Sequence, residues 1–231
     1  MDVKTAYLNA DIDYEIYMKQ PEGFNVQSDD NKQLVCKLNK SLYGLKQSGN
    51  LWNNLLHDFL IQMAFKQSMV DHCVYTKFKD KNKVIIIIFV DDIIIAANND
   101  FVMKDIKAML CNKFRMKDLN VLNYFLGIEF ECHDDSISMN QTNYFNKILE
   151  KFNMSDCKTK SGPCELSLNT DMINVNSESL SNESHRVYRG IVGSLIYAMI
   201  GTRPDLCFIV AKLSQYLSSP TEYHLKLAKQ V

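Results

Sequence analysis

The apolar residues of this chain follow two spacings, one typical of strands and one typical of helices. Residues 84–90 read Val-Ile-Ile-Ile-Ile-Phe-Val, two acids follow at Asp91 and Asp92, and residues 93–97 are again apolar. A continuous run of mostly β-branched residues predicts a strand covered on both faces, since a half-buried strand alternates apolar and polar residues. The pattern therefore predicts a buried β-hairpin that carries paired acids at its bend.

Helical spacing marks two segments on either side of this hairpin. Apolar residues recur every three or four positions over 50–64, which predicts an amphipathic helix with Trp52 on its buried face. The stripe from Val102 to Phe114 predicts a second helix that lies against the sheet, with Asp100 as its N-cap.

Helical spacing also dominates the second half of the chain. One stripe runs from Tyr144 to Phe152. Two more stripes, over 188–199 and 206–217, predict two closing helices, with Thr202 as the cap of the second and Pro204 near its first turn. The polar, Ser- and Asn-rich stretch 155–185 predicts a flexible connection.

Shorter segments with strand character complete the pattern. Residues 15–19 and 34–38 are predicted to extend the sheet, while 122–132 reads as a strand that turns at 133–136 and returns over 137–140. Strands and helices in this order predict an α+β fold, a mostly antiparallel sheet backed by helices.

Composition sets limits without choosing a function. With 231 residues, 46% of them hydrophobic, the chain can bury a substantial core in one large domain or two small ones. The seven cysteines never show Cys-x-x-Cys spacing, which argues against zinc and disulfide frameworks and fits an intracellular protein. No apolar stretch reaches the roughly 18 to 20 residues of a membrane span.

Charge gives only a weak indication of nucleic-acid binding. The net charge of −1 does not favour phosphate binding, although residues 101–117 carry five basic residues against one acid. An ordinary solvated helix face accounts for this cluster equally well.

The paired acids have two interpretations. Asp91 and Asp92 fit a solvated turn, but two carboxylates beside an apolar strand also favour a bound divalent cation, which relieves their repulsion. Asp2 heads another β-prone segment and can join them as a third carboxylate. The third acid favours a metal site over a bare turn.

Four ordered motifs give the chain a family resemblance. They are Asp-Val-Lys-Thr-Ala-Tyr-Leu-Asn at 2–9, Ser-Leu-Tyr-Gly-Leu-Lys-Gln at 41–47, Phe-Val-Asp-Asp at 89–92 and Tyr-Phe-Leu-Gly-Ile-Glu at 124–129. Together they resemble the reverse transcriptases of Ty/copia-type retrotransposons. Residues 188–195 and 202–205 are similar to the segment that links polymerase to ribonuclease H in those polyproteins.

The resemblance implies a domain organisation. Residues 1–140 would form a polymerase palm with partial fingers, whose N-terminal fingers are missing, and 141–231 a helical region like a thumb or connection. That second part would be truncated before ribonuclease H. Met1 then looks like an internal methionine of a longer polyprotein.

The resemblance also implies a two-metal nucleotidyl transfer. Asp2 and Asp91 would be the shared ligands of two Mg²⁺ ions, with Mn²⁺ as a substitute, and Asp92 would be the third acid on the primer side. The implied partners are an RNA or DNA template with its primer, deoxynucleoside triphosphates and other parts of the same polyprotein. The implied location is cytoplasmic, in a virus-like particle, with a nuclear location as the alternative.

Further site residues come only from this resemblance. The nucleotide pocket would involve Val3, Thr5, Ala6, Tyr7, Lys46 and Gln47. The primer would contact Phe89 and Val90, and also Leu126 and Gly127 in a hairpin over 125–129. For each of these an ordinary core, loop or strand role is the structural alternative. Where many family members continue the glutamine motif with Pro-Arg, this chain has Ser48-Gly49-Asn50 and so loses a positive charge.

Two other functions stay open at this point. The chain fits a catalytically inactive relic or domesticated fragment that at most binds nucleic acid or a partner. It also fits a two-metal nuclease, although no residue stands out as the base that would activate water.

Overall fold

A computed structural model describes residues 1–28, 30, 32, 34–164 and 180–231. The chain divides into two compact units, Met1–Val121 and Leu122–Val231. The segment 124–140, assigned above to the palm, belongs to the second unit. Residues 165–179 of the predicted flexible stretch lie outside the described residues.

The first unit contains one main sheet, a small two-stranded sheet and two long helices. Its elements are β1 (Asp2–Val3), a 3₁₀ helix (Ala6–Asn9), β2 (Tyr17–Lys19), β3 (Val35–Lys37), α1 (Ser48–Gln62), β4 (Lys66–Gln67), β5 (Val74–Lys79), β6 (Asn82–Phe89), β7 (Asp92–Ala97), α2 (Asp100–Lys113) and β8 (Met116–Lys117).

The main sheet is antiparallel and places the first strand of the chain next to the acidic hairpin. Its strand order is β4-β5-β6-β7-β1-β8. β6 and β7 pair from Val84 opposite Ala97 to Phe89 opposite Asp92, so the predicted hairpin is confirmed. β1 pairs antiparallel with β7 on one side and β8 on the other. Together with the helices, this sheet confirms the mixed α and β class.

The prediction that β6 is covered on both faces is wrong. Val84, Ile86 and Ile88 are buried against α1 and α2, whereas Ile85 and Phe89 are 37% and 51% exposed. An antiparallel sheet needs to bury only one face, and here both helices lie on the same side. The continuous apolar run therefore forms a strand with one apolar face open to solvent.

The two short strands near the N-terminus form, but they do not extend the main sheet. β2 and β3 pair only with each other, from Tyr17 opposite Lys37 to Lys19 opposite Val35. Their side chains are mostly exposed. The prediction failed because strand character alone does not say which neighbour a strand will pair with.

Helix α1 confirms the first helical prediction. Trp52 is 2% exposed and packs edge-to-face with Phe114, their ring centroids 5.2 Å apart. Leu56 and Leu60 continue the same buried stripe. This stripe and the apolar side of α2 form one core with the covered face of the sheet.

Helix α2 confirms the second helical prediction but not its cap. The N-cap is Asn99, whose side-chain carbonyl accepts hydrogen bonds from the backbone N–H groups of Phe101 (2.8 Å) and Val102 (3.4 Å). Asp100 is instead the first helical residue. Both residue types cap helices well, so the sequence could not separate two adjacent candidates.

Replacing Asn99 by alanine is expected to lower the free energy of unfolding by about 1 kcal/mol, since two backbone N–H groups lose their acceptor. Asp100→Ala is the matched variant, and it loses only a favourable charge near the helix N-terminus. Urea denaturation of both variants measures the difference. A larger loss for Asp100→Ala would contradict the observed cap.

The second unit is a small sheet joined to a helical bundle. Its elements are β9 (Tyr124–Phe125), β10 (Ile128–Cys132), β11 (Ile137–Asn140), α3 (Thr142–Lys151), α4 (Asn182–Gly201), a 3₁₀ helix (Pro204–Leu206), α5 (Cys207–Ser214) and α6 (Glu222–Ala228).

The segment predicted as a single strand over 122–132 is a hairpin of its own. β9 and β10 pair antiparallel around Leu126 and Gly127, and β11 pairs with β10 on its other edge, giving the order β11-β10-β9. The strand pattern alone did not indicate this turn, because Leu-Gly lacks the Asn or Asp that usually marks a two-residue turn. The resemblance of residues 125–129 to a family hairpin did imply it.

The helices of the second unit confirm the remaining periodicity, with two corrections. Thr202 does not cap the last predicted helix; it ends α4, and its backbone N–H and hydroxyl both donate to the buried side-chain carbonyl of Gln141. A further helix, α6, follows α5, with Leu225 and Leu227 in the same core. No described helix is both long and apolar enough to cross a membrane.

Candidate functional site

The pairing of β1 with β7 brings the three predicted acids to one end of the main sheet. Asp2 lies directly opposite Asp92 in the antiparallel ladder, and the backbone N–H of Val3 donates to the carbonyl of Asp91 at 2.8 Å. On its other side Asp2 lies opposite Lys117. Residues almost ninety positions apart in the chain therefore become direct neighbours.

The turn that carries Asp91 has an unusual backbone. Val90 and Asp91 connect β6 to β7, and Val90 has φ 55°. A β-branched residue is a genuine outlier in this left-handed region. The indole N–H of Trp52 donates to the carbonyl of Val90 at 2.7 Å, which ties the turn to the helix beneath it. Residues held in such conformations are concentrated at functional sites.

Burial and neighbouring charge disfavour the ionised form of Asp92. Its pKa is raised, first by burial and then by the negative charges of Asp91 and Asp2, while the Met1 ammonium acts weakly in the opposite direction. All three acids are half-buried. The site therefore concentrates negative charge that a bound cation would relieve.

This raised pKa predicts how stability depends on pH. Well below about pH 3.9, the ordinary aspartate pKa, Asp92 is protonated in both the folded and the unfolded chain and makes no difference. As pH rises from there to the raised pKa, the unfolded chain loses its proton first, so the free energy of unfolding falls.

Asp92→Asn removes this titration. We expect the variant to unfold about 2 °C above the unchanged chain at neutral pH, and at the same temperature in acid. Thermal unfolding, followed by circular dichroism in the presence of a chelator, measures the unfolding temperature at neutral pH and in acid. Asp58→Asn, on the exposed side of α1, is the control. A variant less stable than the unchanged chain at neutral pH would contradict the assigned electrostatics.

The donor atoms of this site are suited to hard cations, although the side chains do not converge. Aspartate oxygens are the ligands that Mg²⁺ and Mn²⁺ prefer. Among residues 1–28, 30, 32, 34–164 and 180–231, however, no three His, Cys, Asp or Glu side chains form a group that could hold a metal ion. The backbone brings the acids together, and rotation of their side chains would be needed to close a metal site.

The predicted nucleotide residues near β1 lie next to the acids in the chain and differ in exposure. Val3 and Ala6 are buried in the core, Thr5 is exposed with φ 52°, and Tyr7 is half-buried. The hydroxyl of Ser41 donates to the carbonyl of Tyr7 at 2.8 Å. This bond joins the first and second sequence motifs.

Lys46 and Gln47 lie at the start of α1. Lys46 is exposed, and Gln47 is half-buried at the N-cap position without capping the helix through its side chain. In the described part of the chain, neither side chain has a hydrogen-bond or ion-pair partner. Of the later basic cluster, Lys107 is paired with Asp118 at 2.9 Å.

Tyr43 was not selected from the sequence, yet it lies at this site. Its ring lies 4.4 Å from that of Tyr7, centroid to centroid. Burial and then the negative charge of Asp91 raise the pKa of its phenol. The residue stands inside the Ser-Leu-Tyr-Gly-Leu-Lys-Gln motif, which was the only sequence signal that could have found it.

The four predicted primer residues fall in different units. Phe89 is half-exposed at the end of β6, directly opposite Asp92, and Val90 follows it in the turn. Leu126 and Gly127 form the β9–β10 turn of the second unit, with φ 49° and 80°. Within each unit the residues are adjacent.

The chain matches known proteins over its whole length. A family model described as reverse transcriptase (RNA-dependent DNA polymerase) matches residues 1–166. The retrovirus-related Pol polyprotein from transposon TNT 1-94 of Nicotiana tabacum is 37% identical and covers 100% of the chain, which spans 18% of that protein. The corresponding polyprotein from transposon RE1 of Arabidopsis thaliana is 34% identical, and the chain spans 15% of it.

A shorter relative matches over most of its own length. The putative transposon Ty5-1 protein of Saccharomyces cerevisiae is 30% identical, with 100% of this chain and 73% of that protein covered. No solved structure matches. The chain thus spans less than a fifth of the two plant polyproteins.

Proposed function

Because the chain belongs to the reverse transcriptase (RNA-dependent DNA polymerase) family, we propose that it is the polymerase portion of a copia-type retrotransposon polyprotein. Its first unit would be the palm with part of the fingers, and its second unit would supply the functions of a thumb or connection. The substrates would be deoxynucleoside triphosphates and a primer annealed to an RNA or DNA template. It would act in the cytoplasm, in a virus-like particle.

One observation carries this proposal. Asp2 lies opposite Asp92 across β1 and β7, and Asp91 lies in the adjoining turn. Nucleotidyl transfer requires oxygen ligands from separate chain segments that meet in space. A pairing between the N-terminal strand and the hairpin at 82–97 meets this requirement.

The chemistry follows from the acids and their surroundings. Divalent cations, when bound, would stabilise negative charge on the attacking 3′ oxygen and on the leaving pyrophosphate. Asp2 and Asp91 would hold these cations, and Asp92 would lie nearest the primer. The half-burial of the acids strengthens the interaction, since it removes part of the competing water.

The other assigned residues would align the two substrates. Tyr7, supported by Tyr43, would lie beneath the sugar of the incoming nucleotide, where a ribose 2′ hydroxyl would clash with the ring. Lys46 is exposed and unpaired in the described chain, so it is available to a phosphate group. The exposed Phe89 would contact the primer end.

A second candidate function is nucleic-acid binding without transfer. It is favoured by the acids' side chains, which form no metal-binding group in the part of the chain that the structure describes. Such a protein would keep its phosphate contacts and lose affinity as salt increases. Extension and binding must therefore be measured separately.

Primer extension on poly-rA with an oligo-dT primer and dTTP separates the two candidates. We expect incorporation that requires Mg²⁺ or Mn²⁺, stops with a chelator and is lost in Asp91→Asn. Fluorescence anisotropy with the same labelled primer–template measures binding over a salt series. Salt-dependent binding without incorporation at any metal concentration would reject polymerase activity and support the second candidate.

A further inference from the structure

The β9–β10 hairpin turns through two residues with an unfavourable backbone. Phe125 pairs with Ile128, and between them Leu126 and Gly127 both have positive φ, 49° and 80°. Positive φ at both central residues defines a type I′ turn, in which Asn-Gly is the preferred sequence. Leucine at the first position is strained, because its Cβ crowds the backbone in the left-handed region.

A tyrosine of helix α4 holds this turn. The phenol hydroxyl of Tyr197 donates a hydrogen bond to the backbone carbonyl of Leu126. The two residues are 71 positions apart in the chain and belong to the same unit. The Tyr197 side chain therefore stabilises a turn whose backbone conformation is unfavourable for leucine.

Gly127 makes room for the same phenol. A Cβ at Gly127 would overlap the Tyr197 hydroxyl and would lie 3.3 Å from the carbon that bears it. Glycine is thus required here twice, once by its positive φ and once by the close approach of the tyrosine. The turn and the ring fit together only in this arrangement.

Tyr197 is itself fixed by the helices around it. Its ring lies 4.6 Å from the ring of Tyr144 on α3, centroid to centroid. The Tyr144 hydroxyl donates to the carbonyl of Ser194 at 2.9 Å, one turn before Tyr197 on α4. Burial raises the pKa of the Tyr144 phenol above its ordinary value. The turn is thereby connected through Tyr197 to helices α3 and α4.

We propose that Tyr197 is a positioning residue, which sets the Leu126–Gly127 turn so that it can hold the primer end. This inference rests on the proposed polymerase function and adds a residue and a contact to it. The motif Gly-Ser-Leu-Ile-Tyr at 193–197, which has no role in the acid site, then acts through the turn at 126–127. Tyr197 would not touch the reacting atoms.

The contact itself is tested by hydrogen–deuterium exchange without any substrate. Tyr197→Phe is expected to speed exchange across 124–130 by about three- to tenfold, the effect of one ordinary hydrogen bond. Tyr223→Phe is the matched control: its exposed fraction is 38% against 37% for Tyr197, and in the described residues its hydroxyl has no partner. Equal exchange in both variants would overturn the proposal.

A second variant separates the turn from the side chain that holds it. Leu126→Asn gives the turn its preferred Asn-Gly sequence, so adding it to Tyr197→Phe is expected to restore slow exchange. Fast exchange in this double variant would show that Tyr197 acts elsewhere than on the turn, and would also overturn the proposal.

The role in primer positioning is tested by steady-state extension on poly-rA with oligo-dT. Tyr197→Phe is expected to raise the KM for primer–template about three- to tenfold, while the KM for dTTP stays unchanged and the melting temperature falls by only about 2 to 4 °C. Tyr223→Phe should leave every value unchanged. An unchanged KM for primer–template beside faster exchange would reduce Tyr197 to a purely structural contact and overturn the assigned role.

Failure of the polymerase proposal would look different. The unchanged chain would then show no incorporation, and the anisotropy dissociation constant for primer–template would replace KM as the readout. A three- to tenfold weaker dissociation constant in Tyr197→Phe would keep the turn as a nucleic-acid contact. The same constant in both chains, or no binding by either, would overturn the Tyr197 role.

Discussion

Replacing Asp2 by asparagine is expected to reduce metal-dependent primer extension by about 10²- to 10³-fold, the cost of removing one group that stabilises transition-state charge. Asp2 lies opposite Asp92 and would supply a ligand from a strand separate from the acidic hairpin. Asparagine keeps the size of the side chain and the β1 hydrogen bonds but carries no negative charge. Affinity for primer–template should therefore change little.

The measurement is the rate of incorporation at saturating Mg²⁺, with anisotropy as the binding control. Asp58→Asn, an exposed acid on α1, is the matched variant and should extend primers at the rate of the unchanged chain. If Asp2→Asn extended primers as fast as Asp58→Asn, Asp2 would not be a ligand, and the site would reduce to the hairpin acids.

Replacing Trp52 by alanine is expected to lower the free energy of unfolding by about 3 to 5 kcal/mol, the usual cost of truncating a buried aromatic residue. Trp52 is 2% exposed, packs against Phe114 and donates to the carbonyl of Val90. The loss is a large share of the roughly 5 to 15 kcal/mol that stabilises a typical domain. It would also release the turn that carries Asp91.

Two further variants separate the contribution of the hydrogen bond from that of the buried ring. Trp52→Phe keeps an aromatic ring and loses the hydrogen bond to Val90, so it should cost about 1 kcal/mol from the bond alone. Ile61→Ala lies on the exposed side of the same helix and should change stability by less than about 0.5 kcal/mol. Trp52 is the only tryptophan, so urea unfolding must be followed by circular dichroism. A loss in Trp52→Ala no larger than that in Ile61→Ala would contradict the assigned core.

Periodicity predicted the elements that bury an apolar face. The stripe that contains Trp52 and the stripe ending at Phe114 became α1 and α2, because burial of one continuous face favours a single helical register. The run 84–90 likewise became a strand. These predictions depend on local patterns, which are fully present in the sequence.

Predictions that depended on partners were less reliable. The same apolar run was expected to be covered on both faces, but Ile85 and Phe89 are exposed. Whether helices cover one face or both depends on the whole sheet and not on the sequence of one strand. The strands at 17–19 and 35–37 pair with each other rather than with the main sheet. A strand's sequence does not specify its neighbour.

The helix cap and the local backbone conformations were the hardest features to predict from the sequence. Asn99 and Asp100 are adjacent and chemically alike, so only the hydrogen bonds identify the cap. The left-handed backbone at Val90 and Leu126 has no sequence signal, because neither residue favours it. Each position is stabilised by a hydrogen bond from a residue distant in the chain: Trp52 donates to the carbonyl of Val90, and Tyr197 donates to the carbonyl of Leu126.

The three acids were the part of the candidate site that could be predicted from the sequence. The motif at 2–9 and the Phe-Val-Asp-Asp motif named Asp2, Asp91 and Asp92, and the ladder then made them neighbours. Tyr43 was missed because its association with Tyr7 and with the charge of Asp91 arises only from folding. The nucleotide and primer roles of the remaining residues stay predictions.

The most direct test of the central claim is the addition of one dTMP to oligo-dT on poly-rA, measured side by side for the unchanged chain and Asp91→Asn at saturating Mg²⁺. The acids at the end of β1 and β7 predict transfer by the unchanged chain and a loss of about 10²- to 10³-fold in the variant. Equal incorporation by the two proteins, or none by either, would contradict nucleotidyl transfer at this site.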